Sequence, residues 1–296
     1  MNNEVLTKRL STDLEYSPKA ISNIVDIQHD ILHAENTNVV LKLKSHYICP
    51  ALFPLIFSLP YAGELYNKMV VVNHRKTNDA LSEDVVLYGV DAHFKINSKA
   101  VSKNAIVPFC HAPKLDDSVA ERIQIIINNI PVNLDITYKM AISSQITEVF
   151  NNSYEHGENA IGSFFNSYYD EKEKIFRFTV YDLGEGFKSR IQEYLGKVES
   201  NSNIINKWST SDYIEWAMVR GNTTKPKDYP RGIGYEVLQR FAIENNGEII
   251  LCTDDIICHI NKFGKSYEGL NNKIRGTFFT MGINLDKSHI YCSKSI

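Results

Sequence analysis

The sequence predicts an α/β protein, because stretches with strand periodicity alternate with stretches of helical spacing along the whole chain. In the first half, short apolar runs alternate with helix-forming segments. In the second, two amphipathic helices lead into strands, a polar stretch, a further helix and more strands. The expected division is a small α/β domain over residues 1–113 and a larger α/β sandwich over residues 114–296.

The elements follow in order. Val39, Val40, Leu41, Lys42 and Leu43 form a short strand. Pro50 suits a first helical turn and opens a helix to about residue 59. Met69, Val70, Val71 and Val72 form a continuous apolar run of buried-strand type. Asn78 or Asp79 caps a helix over residues 80–88 that Gly89 ends. Residues 91–113 are expected to hold a strand and a connector. Asp116, Asp117 and Ser118 start a helix whose Val119, Ile123, Ile126 and Ile127 share one face, and Pro131 breaks it. A second helix runs from about Asp135 to His156 with Ile142, Ile146, Val149 and Phe150 on its apolar side, and Gly157 stops it. Residues 175–181 alternate as a strand. Residues 187–230 show little periodicity, residues 232–244 are helical, and residues 248–253 and 276–283 are strands.

Composition excludes several classes. With 296 residues, 43% hydrophobic and 23% charged, the chain can bury a core without staples. A net charge of −3 gives no global attraction to nucleic acid or to an anionic membrane. Cys49, Cys110, Cys252, Cys258 and Cys292 are scattered, and no CxxC pair occurs, so reduced thiols are expected. Cys252, Cys258 and His259 lack a fourth ligand at zinc-site spacing. No apolar run reaches membrane-spanning length, and the first residues lack the apolar segment of a signal peptide, so a cytoplasmic location is expected.

The chemistry lies in motifs of the second half. Glu148, Asn152 and His156, spaced by four, share one face of the second helix. The amide oxygen of Asn152 is a hard donor suited to magnesium, and Glu148 beside it can take a proton from a nucleophile. Asp182 ends the 175–181 strand and is followed by Gly184 and Gly186, a turn that lets a ligand approach the backbone. A carboxylate there can accept a hydrogen bond from an exocyclic amine. Arg231, Gly232, Ile233 and Gly234 open a helix, and glycines at a helix N-terminus expose amides to phosphate. Gly276 and Thr277 open the last strand, from which Thr277 can support Asp182.

Together and in this order, the motifs resemble those of the GHKL superfamily, the ATP-binding family of gyrase, heat-shock chaperone, histidine kinase and MutL. The resemblance spans residues 116–285 and implies an α/β sandwich of the Bergerat fold that binds ATP and Mg2+. It implies Glu148 as general base, Asn152 as the magnesium ligand, and Asp182 as reader of the adenine amino group. Gly184 and Gly186 would shape the adenine pocket, and Gly232, Ile233 and Gly234 would lie at the triphosphate. Thr277 would support Asp182. The ExxxNxxxHG pattern is most similar to the anti-sigma-factor serine kinases, and the first half resembles the STAS-like modules that often partner them. Tyr235 departs from the family's usual leucine, and residues 187–230 are longer than the lid of the smallest members.

Arg220, Lys225, Lys227 and Arg231 stand against Asp228 alone in the segment before Gly232, a basic loop suited to phosphate, with Lys225 and then Arg231 the preferred contacts. The implied function is a regulatory ATPase or serine/threonine protein kinase acting on a protein partner, with a homodimer compatible with either. A conformational ATPase that closes a dimer is the alternative and would want a long C-terminal extension. A histidine kinase would need a phosphoacceptor; His29 is the candidate, without the usual downstream proline. A non-hydrolysing ATP-binding module is the third alternative.

Overall fold

A computed structural model of the chain describes residues 5–10, 14–44, 48–74, 86–87, 105–157, 161–198, 207–219, 221–222, 224 and 234–291. The protein is mixed α/β with one large antiparallel sheet.

The first half builds a four-stranded sheet. Strands β1 (Leu6–Leu10), β2 (Asn38–Leu43) and β3 (Met69–His74) lie side by side in parallel, and β4 (Val86–Leu87) adds antiparallel to β3. Helix α1 (Pro18–Leu32) joins β1 to β2. Ser17 caps it by accepting from the Ala20 amide, Pro18 suits its first turn, and Ile21, Ile24, Val25 and Ile31 bury one face. Between β2 and β3 come a 3-10 turn (Pro50–Leu52), α2 (Phe53–Phe57) and α3 (Leu59–Leu65). The single helix expected from Pro50 is therefore divided. Pro54 and Pro60 stand at the starts of α2 and α3, where a missing amide donor does no harm to a new helix but interrupts a continuing one. The helix expected over residues 80–88 is corrected at its end, since Val86 and Leu87 pair with β3 as a strand; the rest of it lies outside the described residues.

The second half carries a seven-stranded sheet. Its strands are β5 (Ala105–Ala112), β7 (Ser163–Asp170), β8 (Ile175–Asp182), β9 (Glu248–Thr253), β10 (Ile256–Asn261), β11 (Gly264–Gly269) and β12 (Thr277–Asn284), in the order β11-β10-β9-β12-β8-β7-β5. β5 precedes residue 113 in sequence yet pairs with β7 at the edge of this sheet. A small parallel pair, β6 (Asn133–Leu134) with β13 (Ile290–Tyr291), stands apart. Helices α4 (Asp117–Asn129), α5 (Ile136–Gly157) and α8 (Gly234–Glu244) cover one face. Two more helices, α6 (Phe187–Val198) and α7 (Thr210–Met218), occupy the stretch in which the sequence shows little periodicity. Ile191 and Leu195 of α6 pack on Tyr213 of α7, and Ser209 with Asp212 forms a capping box.

Both faces of the large sheet are buried. Phe165, Phe178, Val180, Leu251 and Phe279 point to the helices, and Phe164, Tyr181, Ile250 and Phe278 point to the first half. The first half therefore supplies the second cover of the sheet. Leu55 and Ile56 of α2 belong to the same apolar cluster as Phe164 and Phe278. Polar contacts fix the join: Asn166 donates to the Pro50 carbonyl at 2.5 Å, and Cys49 Sγ lies 3.1 Å from the Tyr168 hydroxyl. The Arg177 guanidinium stands 4.5 Å from the centre of the Tyr16 ring and 2.6 Å from Glu248. Among the described residues, no helix is long and apolar enough to cross a membrane.

A shared core predicts shared stability. Leu55→Ala should cost about 2–5 kcal/mol, the range for emptying a buried leucine site. Urea unfolding followed by Trp208 and Trp216 fluorescence and by far-UV circular dichroism should show one transition shifted in both signals. Two separate transitions, with the tryptophans unmoved, would contradict a common core.

Candidate functional site

At one end of the large sheet, polar residues stand in a row across four strands. Ser163 of β7 pairs with Asp182 of β8, Asp182 with Thr277 of β12, and Thr277 with Thr253 of β9. Side chains alternate along a strand, so each of these lies on the face shared with Phe165, Val180, Phe279 and Leu251, under α5 and α8. An apolar row would finish the core there. Instead Asp182 is only 4% exposed, and Ser163 and Thr253 are fully buried.

Asp182 is held by its own turn. The Gly184 amide donates to Asp182 Oδ1 at 2.8 Å. Burial pushes this carboxyl up to about 7, while the Gly184 and Thr277 amides and the charges of Arg190 and Arg275 act to lower it. Gly276 explains how closely the strands meet. Its φ is +80°, and a Cβ on it would lie 2.0 Å from the Asp182 carbonyl oxygen. Gly186, with φ +83°, brings the next turn against Thr253 and Asp254. The first amides of α6 are then satisfied from the neighbouring strand end, since Phe187 N donates to Thr253 Oγ1 at 3.1 Å and Lys188 N to Asp254 Oδ2 at 3.0 Å.

Helix α5 meets this row through Ser153, whose hydroxyl lies 2.8 Å from that of Ser163. Asn152, the preceding residue, is 7% exposed, and its Nδ2 is buried with no hydrogen-bond partner among the described residues. A buried amide left unpaired is costly, so Asn152 is suited to a group brought by a ligand. Glu148, one turn earlier on α5, is partly exposed. Tyr235, the second residue of α8, lies against Phe187 and Phe279, with ring centres 5.4 Å and 6.4 Å away. Burial raises its hydroxyl well above the ordinary range, and the charges of Asp182 and Glu148 raise it further. Both carboxylates thus lie within electrostatic reach of one phenol.

Of the residues expected from sequence, Asp182, Gly184 and Thr277 are in direct register or contact, with Gly186 in the same turn. Asn152 and Glu148 approach from α5, and Gly234 begins α8. Lys225, Arg231, Gly232 and Ile233 lie outside the described residues, as does most of the basic segment. Sequence reasoning missed Ser153, Ser163, Thr253 and Asp254, and noted Tyr235 only as a departure from the family's leucine. The Thr253-Asp254-Asp255 triplet after an apolar strand was a visible signal; the two serines carried none. No group of three His, Cys, Asp or Glu suited to a metal occurs among the described residues, and His259 instead meets Glu248 at 2.8 Å. No protein-family model matches the chain, and no curated protein matches it.

Burial of Asp182 has a pH signature. The folded protein keeps a proton on this carboxyl up to about 7, whereas the unfolded chain releases it near the ordinary value, about 3.9. Between those values the native state binds more protons, so this contribution to stability falls as pH rises from about 4 to 7 and then levels off. Asp182→Asn removes the ionisation and keeps an oxygen for the Gly184 amide. Its melting temperature relative to the parent should therefore be higher at pH 8 than at pH 5.5, by at most about 2 kcal/mol of stability. An equal difference at both pH values would contradict the buried charge.

Proposed function

We propose that the second half of the chain is a GHKL-type ATP-binding domain of the Bergerat fold, acting as a regulatory ATPase or serine/threonine protein kinase on a protein partner. The observation that carries this reading is a buried carboxyl, Asp182, in a polar row that α5 meets at Ser153, next in sequence to Asn152, whose buried amide nitrogen has no partner among the described residues. A buried acid at a strand end, with a glycine turn after it, suits recognition of an exocyclic amine. The STAS-like reading of the first half is supported by its alternation of strands and helices around a small sheet.

The donor set fits the cofactor. Asp182 would accept from the adenine amino group, and Thr277, directly across the ladder, offers a hydroxyl to the same ring edge. The Asn152 amide would hold Mg2+ by its oxygen. The amides that open α8 at Gly234 would face the phosphates. ATP with Mg2+ supplies, when bound, a transferable γ-phosphoryl group and the cation that offsets its charge. Glu148, one turn from Asn152, would take the proton of the attacking hydroxyl or water.

The roles separate by experiment. ATP with magnesium should raise the melting temperature of the parent, by about 2.7 kcal/mol of stability at a hundredfold excess over Kd. Glu148→Ala should retain nucleotide affinity and lose turnover by about 10²–10⁴. Asn152→Ala should lose the magnesium-dependent part of binding. Equal loss of affinity in both variants would mean that α5 had simply been disturbed. Incubation with γ-labelled ATP and cell extract then distinguishes label on a protein, expected of a kinase, from free phosphate, expected of an ATPase.

A further inference from the structure

A second cleft lies where the first half meets the large sheet. It has a volume of about 430 Å³ and is bounded by the end of α1, Tyr66 after α3, and the 271–275 segment that leads into β12. That volume falls within the range of small-molecule sites, about 300–1,000 Å³. His29, His33 and Tyr66 line it: the two imidazoles stack with ring centres 4.2 Å apart, and Tyr66 meets His33 edge-on at 5.5 Å. Its rim is cationic. Lys273 and Arg275 are exposed on it, neither with an ion-pair partner among the described residues, and no carboxylate lines the cleft. Two acids lie nearby: Asp26 is engaged by the Asn271 and Asn272 amides at 3.1 and 2.8 Å, which ties the segment to α1, and Asp254 accepts from the Lys188 amide at 3.0 Å and lies within electrostatic reach of Lys273. At the end of α1, His33 Nδ1 lies 2.9 Å from the His29 carbonyl, which the His33 amide also meets.

The same segment is fastened to the turn that carries Asp182. Tyr181 donates its hydroxyl to the Arg275 carbonyl at 2.7 Å, and Arg275 Nε donates to the Leu183 carbonyl at 3.1 Å. The next residue, Gly276, sits against the Asp182 carbonyl too closely to admit a Cβ. A shift of Lys273 and Arg275 toward a ligand therefore moves residues that hold Asp182 on both sides.

We propose that this cleft binds a small molecule carrying a phosphate or carboxylate group on a planar ring, and that its occupancy is transmitted to Asp182 through Arg275 and Gly276. The ring would lie on the His29–His33 stack, and the anion would meet Lys273 and Arg275, a charge-assisted contact. Transmission rests on the nucleotide reading of Asp182; binding in the cleft does not.

The test uses the full chain and simple probes: phenyl phosphate, benzoate and phenol. Without nucleotide, phenyl phosphate or benzoate should shift the His29 and His33 ring proton resonances saturably, and phenol should bind at least tenfold more weakly. Lys273→Ala, at an exposed position that leaves folding intact, should weaken the anion at least tenfold. Phenol binding as well as the anions, or an anion affinity untouched by Lys273→Ala, would overturn the site. With the cleft saturated, ATP affinity should change at least threefold in the parent and not in Lys273→Ala. An unchanged ATP affinity with the anion bound would overturn the transmission alone. A protein that binds no ATP in either state would remove the nucleotide reading while the ring-proton titration still judged the cleft.

Discussion

Burying a carboxylate costs free energy unless fixed donors and charges replace the lost water, and Asp182 is buried with the Gly184 amide as its close donor. Much around it follows from that constraint. Gly276 lets β12 approach the Asp182 carbonyl, and Gly186 allows the turn that hands the first amides of α6 to Thr253 and Asp254. Ser163 continues the polar row and receives Ser153 from α5. An isolated buried acid would be a defect in a core. On the proposed reading, a ligand's donor would offset the cost of burying this acid at the end of a polar row.

The two halves serve this site differently. The helices of the second half bring Ser153 to the row and Tyr235 against Phe279. The first half closes the opposite face with Leu55, Ile56 and their neighbours, and it meets the 271–275 segment through Asp26. The large sheet is covered on both sides. The segment that rounds its end, from Asn271 to Gly276, touches both the first half and the Asp182 turn.

Much of the fold was legible where one face is wet. Asp116 to Pro131 and Asp135 to Gly157 show helical spacing because their outer faces meet solvent, and α4 and α5 lie where that spacing puts them. Strand β7 was not legible, because Phe164, Phe165, Tyr168 and Tyr169 are buried alternately on opposite faces and the run carries no polar alternation. Helix α1 escaped notice although Ser17 and Pro18 announce it. The hairpin of β10 and β11 was hidden for another reason, since β11 is mostly exposed and polar. In the site, the aspartate, the glycines and Thr277 were legible as motifs. Ser163 and Ser153 were not, because only strand register and helix packing bring them to the row.

The central claim is that Asp182 is a buried acid reserved for a ligand's donor. A carbon-13 carboxyl titration of Asp182, followed by NMR with and without ATP and magnesium, tests it most directly. The free protein should titrate near 7, and ATP should move the midpoint down by a unit or more, because a donor from the base favours the charged form. A midpoint near the ordinary aspartate value, or one that ATP leaves unmoved, would contradict the account.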